Sequence, residues 1–553
     1  MLFSDVEYQT GHEQQKRNAE QRPKDYVRVI GKAANITLLR SWVETCEKDH
    51  SEKCNSSSLM PGRGIGVNIR FIDVHKDCIV PGTLGHRYFA LSYVWGAAKQ
   101  FKLEISNSHA LQQPGSLSQV LLPQTIRDSM SLVSSLEERY LWVDALCIVQ
   151  DDDQGKAVQI EQMASIYVSA LATIVALSGT SASSGLPGIP PSPRNPHSIQ
   201  IAPTLRLAPR TSFSEIFNSS VYSSRAWTFQ ERILSPRCLF FTAEQVHFQC
   251  LSASYCEDRS FDCIEDRVSG INPLSEAQIW SRNPRSVIEL DGNNGFRFYA
   301  RFIADYSTKN MGYLSDAINA IAAILGALEG LYGWRYWNGL PNSLIDLALL
   351  WTPKQHVIRR EFGGKTLFPS GSWAGWVGAV HYGDLVQVPP QIPLCKAFRS
   401  CVAAFHVLDQ TGCHSFASDS FRIARYSTQL VNEANHCQVT TEVSFLFDAQ
   451  SRRCGIAYGI IDSLAGVDLI LLSTFSRTSS LETHGPIITT LNMEYMAINE
   501  RLFHGDFSDE AWCTLNVLLV EWKSGYARRV GIGQVCREAW DSCRIVKKDI
   551  LLA

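Results

Sequence analysis

The 553-residue sequence predicts an α/β fold in its N-terminal half, a parallel sheet with flanking helices, followed by an α+β, β-rich C-terminal domain. Three observations lead there. Strand-like and helix-like segments alternate from Tyr88 onwards, the rhythm of βαβ units. The strand-like runs are apolar throughout rather than alternating, as in strands covered on both faces. After Ser343 the pattern shortens to strands and turns. Length agrees: a single core stops growing at roughly 250–300 residues, so two domains are expected.

The elements follow in order. Residues 1–62 read as an N-terminal extension. Met1 to Asp25 is polar and is expected to be disordered, having little to bury. Asn35 to Glu47 has helical spacing, with Ile36, Leu39 and Val43 on one face. The first domain is expected over 63–260. Tyr88 to Trp95 is its opening strand. Pro123 suits a first helical turn, and Ile126, Met130, Val133 and Leu136 continue that helix. Tyr140 to Asp144 is a second strand. Ile160, Met163, Tyr167 and Ala170 mark a second helix, and Leu171 to Leu177 a third strand. Gly179 to Pro196, rich in Ser, Gly and Pro, is a loop. Ile199 to Leu207 reads as a strand. A helix capped by Ser223 or Ser224 runs through Glu231, and Cys238–Thr242 with Gln245–Gln249 form a closing strand pair. In the second domain, 261–553, Tyr313 to Glu329 has the spacing of a helix. Thr514–Trp522 and Tyr526–Ile532 form a hairpin.

Composition excludes several classes. Hydrophobic residues are 45% and charged residues 19%, an ordinary globular balance. A net charge of −3 argues against a nucleic-acid binder. The 16 cysteines have no apolar leader before them, so a reduced, cytoplasmic setting is expected. The most apolar stretch, Ile456 to Phe475, is interrupted by Asp462 and Asp468. It reads as two buried strands rather than a membrane span.

Cys46, His50 and Cys54 have side chains that suit zinc. In one continuous helix, though, eight residues span about 12 Å, and thiolates sharing one zinc each lie about 2.3 Å from it. The three can share a metal only if the helix breaks near Ser51, with Cys78 available as a fourth ligand. The default is a helix face with buried thiols and no metal. Asp151 to Asp153 fits no calcium loop and reads as acidic helix-start charge. Neither a Gly-x-Ser-x-Gly elbow nor a Walker A loop is present. Cys147, in an apolar stretch, reads as an inert thiol.

Several segments in sequence order resemble the fungal heterokaryon incompatibility (HET) domain: Tyr88 to Gly96 (YFALSYVWG), Leu122 to Asp128 (LPQTIRD), Leu141 to Asp151 (LWVDALCIVQD), Gln162 to Tyr167 (QMASIY) and Ser224 to Glu231 (SRAWTFQE). Pro369 to Trp376 (PSGSWAGW) resembles a Trp-rich motif of the C-terminal halves, with Gly371 where a Trp is usual, and Leu515 to Val530 resembles the family's closing hairpin. The resemblance implies a TIR-like, flavodoxin-like parallel sheet. It also implies a role in fungal nonself recognition and programmed cell death. Many TIR domains cleave the nicotinamide–ribose bond of NAD with a glutamate that follows a Trp by four residues, the relation of Trp227 to Glu231. Glu231 is therefore the candidate catalytic residue, with Trp227 and Arg225 as binding residues. A carboxylate there would stabilise an oxocarbenium-like ribose. The plainer reading is a salt-bridged helical Glu, paired with Arg225 or Arg232.

Ligands of open parallel sheets bind beyond the carboxyl ends of strands. Ser92, Tyr93, Trp95, Gly96 and Asp144 occupy such ends and are the expected pocket lining. Core packing of Tyr93 and Trp95, and pairing of Asp144 with an Arg such as Arg127, are the competing readings. NAD would be substrate, no cofactor being expected. Self-assembly through the HET domain and an unknown incompatibility partner are the expected contacts. Three functions stay open: an NAD-cleaving effector, a non-enzymatic interaction module, and a secondary-metabolism protein with an unrelated small-molecule pocket.

Overall fold

The structure is a computed structural model that describes residues 28–54, 68–97, 100–194, 196, 199–202, 205–207, 211–259, 292–382, 398–400, 404–405, 411–416, 422–426, 443–448, 450–459, 467–475, 514–543, 545–550 and 552. The disorder expected for Met1 to Asp25 concerns residues outside this set. The chain divides into two compact units. The first draws on Met1–Lys156, Ser165–Tyr222 and Ser235–Ala277, the second on Ala157–Ala164, Ser223–Leu234 and Gln278–Ala553.

The first unit opens with helix α1 (Ile36–Asp49), whose N-cap Asn35 accepts a hydrogen bond from the Leu38 amide, satisfying an orphan donor. A one-turn helix, α2 (Ser51–Cys54), follows after a break at His50. Strands β1 (Asn68–Asp73) and β2 (Cys78–Thr83) form a hairpin. Then come β3 (Tyr88–Ser92), α3 (Gln124–Ser135), β4 (Tyr140–Trp142), the short α4 (Asp144–Cys147), α5 (Asp153–Ser169) and β5 (Ala172–Val175). The strand expected over Ile199 to Leu207 is instead a separate two-stranded ribbon, β6 (Ile199–Ala202) with β7 (Leu205–Leu207). Next are α6 (Phe213–Ser219), α7 (Ala226–Leu234), β8 (Arg237–Phe241), β9 (Val246–Cys250) and β10 (Ser254–Cys256). Of these, α7 and residues 157–164 of α5 are counted with the second unit.

Eight strands make one sheet in the order β10-β9-β8-β5-β3-β4-β1-β2. The ladders β4–β3, β3–β5 and β5–β8 are parallel; the strands on either flank are antiparallel. Every residue of β3, β5 and β8 is buried, which is why these stretches carry no polar alternation. On one face Val94, Val175, Phe213, Phe217, Tyr222 and Phe240 pack into a single cluster. Tyr88 and Tyr167, both buried, donate their hydroxyls to the carbonyls of Ile166 and Leu91, tying α5 to β3.

The second unit contains helices α8 (Gly292–Tyr306) and α9 (Ala322–Tyr332) and a ten-stranded antiparallel sheet. The helix expected from Tyr313 is corrected. Leu314–Ala317 and Asn319–Ile321 are 3₁₀ turns, and only Ala322 onwards is α-helical. The amides of Asp316 and Ile321 bond three residues back rather than four, so the apolar spacing survives while the helix does not. The hairpin is present as Thr514–Lys523 and Tyr526–Cys536. The apolar stretch ending at Phe475 falls into two strands, Arg453–Gly459 and Val467–Phe475. Among the described residues no helix is long and apolar enough to cross a membrane. In the Trp-rich motif, Trp373 and Trp376 are buried, their indoles donating to Tyr299 and to the Ser370 carbonyl. A side chain at Gly371 would press on Leu552, its Cβ falling 2.6 Å from Leu552 Cδ2, so a larger residue there requires the Leu552 side chain to move.

Candidate functional site

The carboxyl ends of β3 and β4 bring together the expected lining. Ser92 is buried and shares a 2.7 Å hydrogen bond with the Tyr222 hydroxyl. Tyr93 is buried, with its hydroxyl 3.4 Å from Gln100 Oε1. Trp95, three residues past the strand, is half-buried and donates its indole N–H to Asp144 Oδ2 at 2.8 Å. The other Asp144 oxygen accepts from the Ala145 amide. Lys102 places its ammonium 4.9 Å from the Trp95 ring centre, a cation–π contact. Arg127, the alternative partner for Asp144, donates to the carbonyls of Leu117 and Val120 instead. Gly96 has φ +75°, and a Cβ there would lie 2.7 Å from the Ser181 Cβ. The result is an aromatic plane flanked by a carboxylate and an ammonium.

The remaining candidates lie on or just before α7, in the second unit. Ser224 ends a 3₁₀ turn and the α-helix begins at Ala226. Arg225 is half-buried and pairs by backbone with Asn310. Trp227 is half-buried and donates its indole N–H to Asp316 Oδ2 at 3.1 Å. Phe229 packs on Phe302 and Tyr306, and Gln230 accepts from the Ala323 amide. Glu231 is 7% exposed and has partners of its own. Apart from Trp227, every residue of this helix is buried. The eight candidates thus fall into two sets, one in each unit.

The family described as "Heterokaryon incompatibility protein (HET)" matches residues 88–231. The chain carries a HET domain. A relative in Neurospora crassa, "Heterokaryon incompatibility protein 6, OR allele", is 32% identical over 125 residues, 20% of this chain and 18% of that protein. The shared part is thus less than a fifth of the relative's length. No solved structure matches the chain.

The HET domain match begins at the first residue of β3 and ends at Glu231 on α7, so it covers both candidate sets. Within it, Cys147 is buried, and burial pushes its thiol up to about 12, as an inert cysteine requires. Asp152 caps α5 by accepting from the Gly155 amide, and Asp151 accepts from the Ile105 amide, so these carboxylates serve local backbone.

A further cluster lies outside the HET match. Because the helix breaks at His50, Cys46, His50 and Cys54 come together, and Cys250 at the end of β9 joins them. Their four ligand atoms all lie within 4.8 Å of one another. The break falls one residue before the position that the spacing required. The fourth member corrects the expectation for Cys78, which is buried in β2 and is not part of this group. Cys250 carried no local signal, since it stands 200 residues from His50.

Proposed function

We propose that this protein acts in fungal heterokaryon incompatibility, with the HET domain as its effector part and a binding surface as its means of action. The HET match over residues 88–231, with the likeness to a Neurospora crassa protein named for incompatibility, carries the first half of this reading. The burial of Glu231 carries the second. A carboxylate that stabilises a ribose cation must meet substrate, and Glu231 is 7% exposed on a helix that is buried almost all round. The half-buried Trp95 then offers an aromatic anchor of the kind enriched at interfaces, with Asp144 and Lys102 as polar groups beside it. The partner it would meet is another chain, a second HET domain included, in the cytoplasm.

The competing reading is cleavage of NAD by a TIR-like domain. Two observations favour it. Taken in chain order, the four parallel strands are arranged 2-1-3-4, as in the flavodoxin-like order 2-1-3-4-5. Trp227 and Glu231 also share a helix at a spacing of four, which puts them on one face.

One experiment separates the two. The pure full chain is incubated with NAD at high protein concentration and nicotinamide release is followed. The binding reading expects none. Release by the wild type that is lost in Glu231→Gln overturns it in favour of cleavage. For the cellular role, deletion of the gene should weaken rejection between strains that otherwise refuse to fuse. An unchanged barrier in all such pairings would count against it.

A further inference from the structure

We propose that Cys46, His50, Cys54 and Cys250 bind a structural zinc ion in a closed Cys₃His site that fastens the N-terminal helices to the antiparallel flank of the sheet.

The donor set comes first. Three thiols and an imidazole are a ligand combination of structural zinc sites, which fill all four tetrahedral positions with protein. At about 2.3 Å from zinc, tetrahedral thiolates stand roughly 3.8 Å apart. The four atoms here lie within 4.8 Å of one another, and Cys250 Sγ is 3.5 Å from His50 Nδ1. The site needs only a small contraction to close on a metal.

The surroundings suit thiolates rather than thiols. The Arg237 guanidinium, buried at the start of β8, donates to Cys46 Sγ at 3.1 Å. The amides of Ser252 and Ala253 point at Cys250 Sγ at 3.4 and 3.1 Å. Three thiolates on Zn²⁺ leave one net negative charge, which Arg237 offsets. Such outer donors orient the ligands and stabilise the charge on sulfur.

The position says what the metal would do. Cys46 and Cys54 belong to α1 and α2, while Cys250 ends β9, opposite Arg237 of β8 in the ladder. Trp42 of α1 already packs on Phe248 and Tyr255 of β9 and β10. A zinc would lock the two parts together at the amino ends of the parallel strands, away from the Trp95–Asp144 surface. Because the protein fills all four positions, none is left for a reacting water.

The test uses the full chain, expressed with zinc and freed of loosely held metal by gel filtration. Metal analysis should return one zinc per chain. Cobalt exchanged into the site should show the absorption of tetrahedral coordination by three thiolates and one nitrogen. Cys250→Ser should lose zinc, and Cys78→Ser should keep it. A chelator should lower the melting temperature of the wild type and leave Cys250→Ser unmoved. Less than one zinc in ten chains would overturn the proposal, as would a disulfide between any two of the three cysteines under reducing purification. Since Cys250→Ser can lose metal by misfolding, the cobalt spectrum of the wild type decides: octahedral coordination, or fewer than three thiolates, refutes the site.

Discussion

The Trp95 indole and the Asp144 carboxylate meet at 2.8 Å across the carboxyl ends of two neighbouring parallel strands. Each alone is an ordinary strand-end residue; together they fix the rim on which Lys102 lies. A hydrogen bond to a charged group contributes about 1.5–3 kcal/mol when buried and less when half-exposed, as here. Trp95→Phe and Asp144→Asn should therefore each destabilise the chain. A double-mutant cycle in urea should give a coupling of about 1 kcal/mol. Strict additivity would show that the two residues act separately.

Gly96 sits among the pocket candidates, yet its immediate duty is backbone geometry. Its φ of +75° and its approach to Ser181 leave no room for a methyl group. Gly96→Ala should cost about 1–3 kcal/mol. Gly115 has a similar φ of +78° but open space around it. Gly115→Ala should cost less, by denaturation midpoint, and equal costs would remove the role of the Ser181 contact.

His247 is buried against the Phe213 ring, 4.4 Å away, and its Nε2 has no hydrogen-bond partner. Burial pushes its pKa down from 6.5 to about 3, so the folded chain keeps it neutral. Between those values the unfolded chain binds a proton that the folded chain does not. The contribution is present in full above pH 6.5 and is lost as pH falls towards 3, at up to about 1.4 kcal/mol per pH unit. His247→Phe should flatten the acid limb of stability, read from urea midpoints at a series of pH values. An unchanged limb would mean that other groups govern it.

Arg194 and Glu257 form an ion pair that is almost fully buried. Glu257 also accepts from the Asn35 and Val246 amides, and Arg194 donates to the carbonyls of Gly31 and Ala33. The pair thus binds the N-terminal segment to the far flank of the sheet. Glu257→Ala would strand a buried guanidinium and should cost about 3–5 kcal/mol. Glu257→Gln, which keeps one acceptor, should cost less, and a reversal of that order would contradict the assignment.

The legible parts of the fold were those coded by short, continuous apolar runs. Tyr88–Leu91, Leu171–Leu177 and Cys238–Phe241 announce themselves because both faces of these strands are covered. The hairpin of β1 and β2 was missed because Arg70, Asp73, Pro81 and Gly82 dilute its apolar signal. The Leu314–Ile321 turns were misread because 3₁₀ and α segments share apolar spacing over a turn or two. At the candidate sites, strand-end residues followed from topology, whereas Cys250 had no local cue. A ligand set completed across 200 residues leaves no spacing to read.

The family signature and the sheet do not end together. Residues 88–231 contain only β3, β4 and β5 of the eight strands; both flanks come from sequence outside them. A protein trimmed to the signature would expose the bare sides of β4 and β5, open templates for joining other chains edge to edge. The smallest piece that keeps this sheet whole therefore begins no later than Asn68 and ends no earlier than Cys256. An insoluble signature-only fragment would report the missing borders of its sheet rather than a toxic or self-assembling activity.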